Sequence, residues 1–448
     1  MGKLFGTDGV RGVANTELTP ELACLLGKAC TYILKKDLDG KTPTFVIGKD
    51  TRISGDMLED AIASGIMAAG GNVISVGVIP TPAVALLVRQ YGADCGVVIS
   101  ASHNPFEYNG IKFFSNEGYK LNDSMEEAIE DIVINKKEIE ISEVIGTKKD
   151  NSEEATQLYS DYLSESVTKD LSGFKIVFDG ANGASVKTAE LVFDRLGIDV
   201  KYIGVEPNGI NINEGVGSTH PEALSKKVVE SGADLGIALD GDADRIITVD
   251  ENGVVLDGDA ILYICAMDLK EKGKLKNNLV ISTVMSNIGL KLSLEAKGVE
   301  IMSSDVGDRH VLELMQKQDS VFGGESSGHI IFLDGNTTGD GMYAALRMME
   351  ALKDNNLKLS EAAAGITIFP STLKNAKIKN EYKLTYREDR EISAAIDKVE
   401  KELAGEGRVL IRPSGTEPLI RIMLEGSDQD YLERVAGELA NLIEEKLS

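Results

Sequence analysis

The chain is short of positive charge. Against 72 Asp and Glu stand 47 Lys and Arg, a formal net charge of −25 over 448 residues. That balance argues against binding nucleic acid or an anionic membrane through the overall field. A site for an anionic substrate therefore has to be made positive locally. Cysteine is scarce as well. Cys24, Cys30, Cys95 and Cys265 form no CxxC pair, which argues against a disulfide framework or a zinc cluster. They read as small buried hydrophobes in a reducing, cytoplasmic compartment. The amino terminus has no apolar stretch of the secretory kind. Gly6 stands where a myristoylation signal needs Ser or Thr. No GxxxxGK[ST] phosphate loop occurs. Residues 61–88 carry no charge over a length that could cross a bilayer. Gly70-Gly71-Asn72, Pro80 and Pro82 break that run, so it is expected to form a buried helix, a turn, a strand and a loop, with no membrane span.

What is present is ample apolar content, 42% of residues, enough for real cores. The length suggests about three domains at roughly 150 residues each. One order of elements recurs three times. Strands expected at 45–48, 176–179 and 279–282 each lead to a helix and then to a second strand, at 73–76, 199–204 and 299–302. A third apolar strand follows at 95–99, 235–239 and 319–322. Strands alternating with helices imply βαβ units and mostly parallel sheets. The tail differs: strands at 373–378, 408–411 and 419–424 and helices at 390–403 and 430–447 describe a small α+β domain. The expected fold is thus three related α/β domains with mostly parallel mixed sheets and a smaller C-terminal α+β domain. The divisions fall at 1–155, 156–255, 256–369 and 370–448, with 136–154 a solvated connection.

The third strands end on three polar clusters: SASHNP at 100–105, DGDADR at 240–245 and GGESSGH at 323–329. Open α/β sheets bind ligands at the carboxyl ends of their strands, so one composite site is expected. Asp240, Asp242 and Asp244 alternate with small residues, and three like charges this close need a cation among them. The hard, oxygen-seeking candidates are Mg²⁺, Mn²⁺ and Ca²⁺. An EF-hand is the competitor, but Arg245 stands where its loop needs Gly, and a strand precedes the cluster. Arg412-Pro413-Ser414-Gly415-Thr416 combines a guanidinium, two hydroxyls and a glycine amide, a phosphate-binding composition, with Arg421 on the next strand. An ordinary hairpin turn is the alternative. Glu325 and the serines beside it suit vicinal sugar hydroxyls, and His329 is either structural or an acid/base. Gly6-Thr7-Asp8-Gly9-Val10-Arg11-Gly12 and Gly48-Lys49-Asp50-Thr51-Arg52 carry cations in the same domain as Ser102, and each reads either as a surface turn or as a flank of that serine. No GxSxG elbow or His/Asp pair surrounds Ser102. A serine facing a metal cluster and a phosphate loop points to phosphoryl transfer through phosphoserine.

In this order, GTDGVRG, SASHNP, DGDADR, GESSGH and RPSGTEP resemble the α-D-phosphohexomutases over essentially the whole chain. The resemblance implies a four-domain heart-shaped fold. It implies that Ser102 carries the phosphate, and that Asp240, Asp242, Asp244 and a phosphoserine oxygen hold Mg²⁺. Arg11, Lys112 and His329 would flank the phosphoserine, with Arg245 beside the metal. Glu325 and Ser327 would bind sugar hydroxyls. Arg412, Ser414, Gly415, Thr416 and Arg421 would bind the phosphate that is not reacting. The opening motif and the run SHNPFEYNGIKFF are most similar to the branch acting on glucosamine phosphates. That implies glucosamine 1,6-bisphosphate as intermediate and a role in supplying UDP-N-acetylglucosamine and cell-wall precursors. The alternatives are the glucose and mannose phosphate branch and a catalytically dead sugar-phosphate-binding protein. Candidate partners beyond the phosphosugar are a second copy in a homodimer and, for the first phosphate on Ser102, a kinase or autophosphorylation. Two positions depart from the pattern: Ser326, where relatives carry a longer polar residue, and His310, where an aromatic is expected.

Overall fold

The computed structural model describes residues 4–448 apart from 7, 140, 141, 406, 415 and 416. The chain divides into two compact units. One comprises Met1–Met285 with Val299–Gly365, the other Ser286–Gly298 with Ile366–Ser448.

The first unit holds three sheets. The first runs Val10–Val13, Tyr108–Ser115, Cys95–Ile99, Thr44–Lys49, Asn72–Val78, Lys148–Asp150. Its last four strands are parallel, and Tyr108–Ser115 runs antiparallel to both of its neighbours, Val10–Val13 and Cys95–Ile99. The second runs Val255–Leu256, Ile246–Asp250, Leu235–Leu239, Lys175–Asp179, Asp199–Ile203. The third runs Glu300–Ser304, Leu279–Thr283, Phe322–Gly324, Ile330–Phe332. Cys95–Ile99 and Leu235–Leu239 are buried along their whole length, as expected of central strands covered on both faces. Phe45, Ile47, Val97 and Ile99 form one core with Leu26 and Ile62 of the helices Pro20–Asp37 and Gly55–Ala68.

Each polar cluster lies in the same place. It follows a parallel strand, and the chain then returns antiparallel beside it: Cys95–Ile99 to Tyr108–Ser115, Leu235–Leu239 to Ile246–Asp250, Phe322–Gly324 to Ile330–Phe332. Sequence patterning finds the outgoing strands and misses the returns. Two smaller differences have local causes. The strand expected at 319–322 begins only at Phe322, because Asp319 closes the preceding helix in a left-handed conformation. The loop expected after Pro80 is instead the helix Thr81–Tyr91. Proline is tolerated in a first helical turn, where the missing N–H has no partner to lose. The stretch 136–154, expected as a connection, contains the short exposed strand Lys148–Asp150. Among the described residues, no helix is long and apolar enough to cross a membrane.

The second unit is a three-stranded antiparallel sheet, Ser371–Lys377, Leu419–Glu425, Arg408–Pro413. The helices Arg390–Glu402 and Gln429–Leu447 supply Ile392, Ile396, Leu432 and Leu439 to its core. The helix Ile288–Ala296 also belongs to this unit. Glu425 accepts from the Ile288 N–H at 2.9 Å and from Arg408 Nε at 2.7 Å.

Candidate active site

The loop carrying Ser102 is held from beneath. Ser100 Oγ donates to Asp50 at 2.6 Å and accepts the Ser102 N–H at 2.9 Å. Arg52, fully buried, pairs with Asp50 at 2.8 Å. It donates to the carbonyls of Ser102 (2.9 Å), Asn104 (2.8 Å) and Tyr108 (3.0 Å), and also to Pro105. Asn213, from the second sheet's connections, donates to the Ser102 carbonyl at 2.9 Å. These donors satisfy a loop whose carbonyls no strand partners, and they hold Ser102 in a left-handed conformation at φ 54°, uncommon for a residue with a side chain. Burial pushes the Asp50 carboxyl up even with Arg52 against it. Replacing Arg52 by methionine is expected to destabilise the protein by about 3–5 kcal/mol, since it leaves a buried carboxylate unpaired. A urea midpoint within error of wild type would refute that anchoring role.

The Ser102 hydroxyl points into the carboxylate cluster, donating to Asp240 Oδ2 at 2.5 Å, with His103 Nδ1 at 3.2 Å. Burial, with Arg245 and Arg11 nearby, lowers His103 to about 4. Carboxylate oxygens of Asp240, Asp242 and Asp244, all buried, lie within 4.8 Å of one another. Burial raises the Asp240 carboxyl far above its usual range, reinforced by Asp244 and Asp242. Asp244 is raised chiefly by burial and by Asp242. Asp242 is lowered despite its burial, through Lys112 and Thr81. Gly241 is required here: a Cβ would lie 2.7 Å from the Ser102 carbonyl oxygen.

The three carboxylates suit a hard cation. Asp242 Oδ1 and Asp244 Oδ1 are buried without a hydrogen-bond partner among the described residues. The other Asp242 oxygen is taken by Lys112 at 2.9 Å and Thr81 at 2.7 Å. Asp240 Oδ1 accepts the Arg245 N–H at 3.1 Å. Two orphaned oxygens and one facing Ser102 form an all-oxygen donor set, the preference of Mg²⁺, Mn²⁺ or Ca²⁺. The EF-hand alternative fails on topology, because Leu235–Leu239 is a central strand.

Around this cluster stand the cations. Lys112, 1% exposed, bridges Asp242 and Asp8 at 2.9 Å each and reaches Asp244 at 3.7 Å. These three carboxylates raise its pKa against the effect of burial. Arg11 pairs with Asp8, and Arg245 Nε lies 3.8 Å from Asp244. Lys120 joins Asp8 to Asp308 at 2.5 Å each, and Asp308 lies 3.7 Å from His329 Nε2. His329 is buried, with neither ring nitrogen hydrogen-bonded among the described residues. Glu325 accepts the Gly307 N–H at 3.1 Å, while Ser327 is exposed. Gly328 lets this turn meet the second sheet: at φ 91°, its carbonyl accepts the Ile246 N–H at 3.0 Å, and a Cβ would lie 2.0 Å from the Ile246 oxygen. Although Gly324-Glu325-Ser326-Ser327-Gly328 has the GxSxG spacing, it joins two antiparallel strands. A hydrolase elbow joins a strand to a helix.

The first unit thus brings together Ser102, Arg11, Lys112, Asp240, Asp242, Asp244 and Arg245, and seats Glu325, Ser327 and His329 on the adjoining turn. Sequence reasoning quoted Asp8, Asp50 and Arg52 without giving them roles, and missed Thr81, Lys120, Asn213 and Asp308. Thr81 alone had a local signal, its place between two prolines.

In the second unit Arg412 lies directly across the strand pair from Arg421. Burial and the neighbouring Arg421 charge lower the Arg412 pKa. Arg421 faces the Glu417 carboxylate at 3.8 Å. Two guanidinium groups side by side are a cationic pair suited to phosphate. Ser414 is buried, its hydroxyl accepting the Glu417 N–H at 3.2 Å. Gly415 and Thr416 lie outside the described residues.

Fold and site together describe a sheet-end centre for phosphate chemistry on an α/β scaffold. Four models of the phosphoglucomutase/phosphomannomutase family match along the chain. They are alpha/beta/alpha domain I over residues 2–140, domain II over 157–253, domain III over 257–368 and the C-terminal domain over 373–442. A phosphoglucosamine mutase of Thermoanaerobacter sp. (strain X514) is 55% identical over 451 residues, covering both chains completely. The chain belongs to the phosphoglucomutase/phosphomannomutase family. Among solved structures, a family member from Burkholderia thailandensis superposes with a TM-score of 0.81 at 22% identity, over 100% of this chain and 99% of that one. The N-acetylphosphoglucosamine mutase of Aspergillus fumigatus, solved with GlcNAc-6P and magnesium, gives 0.70 at 17% identity, over 99% and 96%.

Proposed function

We propose that this enzyme interconverts glucosamine 6-phosphate and glucosamine 1-phosphate, through phosphorylated Ser102 and glucosamine 1,6-bisphosphate, supplying UDP-N-acetylglucosamine and cell-wall precursors. The observation that carries the reading is the Ser102 hydroxyl, 2.5 Å from a carboxylate of the buried triad. The full-length relative named phosphoglucosamine mutase supports the choice of sugar.

The phosphoryl group passes from Ser102 Oγ to the free hydroxyl of the monophosphate: the serine P–O bond breaks with its electron pair left on Oγ, a sugar P–O bond forms, and the proton lost by the sugar hydroxyl is balanced by one gained at Ser102 Oγ. The other phosphate of the bisphosphate then returns to Ser102. Lys112, Arg11 and Arg245 balance charge on the transferring group. His329, buried with neither ring nitrogen hydrogen-bonded among the described residues and Asp308 3.7 Å from its Nε2, is the group suited to hold the mobile proton. Asp240, Asp242 and Asp244 would hold Mg²⁺, which when bound offsets charge on the phosphoryl oxygens. Glu325 and Ser327 read sugar hydroxyls. Arg412, Ser414, Gly415, Thr416 and Arg421 bind the phosphate that is not reacting.

The working domain division is 1–155, 156–255, 256–369 and 370–448. Free cysteines, three of them buried, support a reducing, cytoplasmic setting. A homodimer, and a kinase or autophosphorylation for the first phosphate on Ser102, complete the reading.

A coupled assay comparing glucosamine 6-phosphate, glucose 6-phosphate and mannose 6-phosphate tests the sugar. Glucosamine 6-phosphate is expected to give the highest kcat/KM. Preference for glucose or mannose would move the enzyme to the sister branch, and turnover of none would mark a dead site. A grip that reads only phosphate charge must serve both ends of the sugar. Arg412→Ala is therefore expected to weaken both monophosphates and the bisphosphate alike, by about ten- to a hundredfold, the value of one charge-assisted pair. Loss confined to one monophosphate would refute a shared grip.

A further inference from the structure

We propose that Thr81 is a positioning residue for the cation site, fixing the Asp242 carboxylate so that one chosen oxygen is left for the metal. The inference rests on the metal reading above. Thr81 opens the helix Thr81–Tyr91 and is 1% exposed. Its hydroxyl donates to Asp242 Oδ2 at 2.7 Å. Its N–H, a helix-start donor with no partner inside the helix, donates to the Asp242 carbonyl at 2.9 Å. Side chain and backbone of one residue thus grip side chain and backbone of another, from the layer of the first sheet to the loop of the second.

A carboxylate free to rotate presents either oxygen. Here Oδ2 takes two donors, Thr81 and Lys112, while Oδ1 is buried with no hydrogen-bond partner among the described residues. The two donors differ in kind. Lys112 is shared among Asp8, Asp242 and Asp244, so it supplies charge to the whole cluster with little direction. Among the described residues Thr81 hydrogen-bonds Asp242 and neither of the other two carboxylates, and it supplies the direction. Hydrogen bonds of this outer kind orient metal ligands, and losing one typically costs ten- to a hundredfold in metal affinity.

The test compares Mn²⁺ affinity of the full chain by calorimetry in wild type, Thr81→Val and Thr81→Ser, with unfolding midpoints measured in chelator. Thr81→Val is expected to bind Mn²⁺ about tenfold more weakly or worse. Thr81→Ser, which keeps the hydroxyl, is expected to bind near wild type. The midpoints in chelator should stay close together, whereas a merely structural role would move them and leave affinity alone. Thr81→Ala gives the same comparison if valine disturbs the helix start. Equal affinity in the hydroxyl-free variants, or weak binding in Thr81→Ser, overturns this inference alone. A wild-type chain that binds no Mn²⁺ overturns the metal reading and this inference with it.

Discussion

Ser102→Ala is expected to lose mutase turnover by about 10⁴-fold or more, the order of loss when a covalent nucleophile is removed. Neither Ser100 nor Ser327 is placed to stand in. Ser100, two residues away, is buried with its hydroxyl committed between Asp50 and the Ser102 N–H. Ser327 is exposed on another turn. The fold should survive, because among the described residues the hydroxyl hydrogen-bonds only Asp240 and His103, and the anchors from Arg52 and Asn213 go to backbone carbonyls that alanine keeps. Intact-mass and peptide mapping of active wild type should find one phosphate on Ser102. Turnover at the wild-type rate in Ser102→Ala, or a phosphate mapped elsewhere, would refute the assignment.

Much of this site was legible because strand ends are. An apolar run such as 95–99 or 235–239 must be buried, and a polar cluster after it must lie at the sheet's edge. Spacing gave the Asp240-Asp242-Asp244 triad the same way, since alternating carboxylates have few uses besides a cation. What stayed hidden depends on contacts distant in sequence. The strand Tyr108–Ser115 returns beside Cys95–Ile99 and so carries Lys112 back to the carboxylates. Lys112 is reached in the sequence only through the family resemblance, since a lysine among the buried Ile111, Phe113 and Phe114 carries no local sign of its place. Lys120 and Asp308 are 188 residues apart, and nothing local marks either. Arg52 looks like a surface turn residue until four carbonyls of the Ser102 loop are seen to need a donor. The helix Thr81–Tyr91 was missed because proline was read only as a breaker, although the first helical turn accepts it.

Removing the metal is expected to have the second large effect. Chelation should cost several kcal/mol of transition-state stabilisation, about a thousandfold or more in rate, and Mg²⁺ should restore it. The argument lies in the charge balance of the cluster. Asp240, Asp242 and Asp244 bring three buried carboxylates together, and among the described lysines and arginines only Lys112 is buried against them, itself shared with Asp8. Arg245 stands off at 3.8 Å and keeps a quarter of its side chain exposed. Without a cation the triad is under-compensated, which is why burial and its neighbours push the Asp240 carboxyl up so far. A phosphate on Ser102 would add further negative charge within reach of Asp240. The cluster then has even less reason to hold together unless a divalent ion sits among the Asp242 and Asp244 oxygens that have no hydrogen bond among the described residues. Asp242→Asn keeps the shape of the side chain while removing its charge. It should match the chelated wild type in rate and no longer respond to added Mg²⁺. The measurement is turnover against free Mg²⁺ for both proteins, with Mn²⁺ binding as the independent check. Full activity of Asp242→Asn in excess chelator would show that the triad serves the fold and not the phosphoryl transfer.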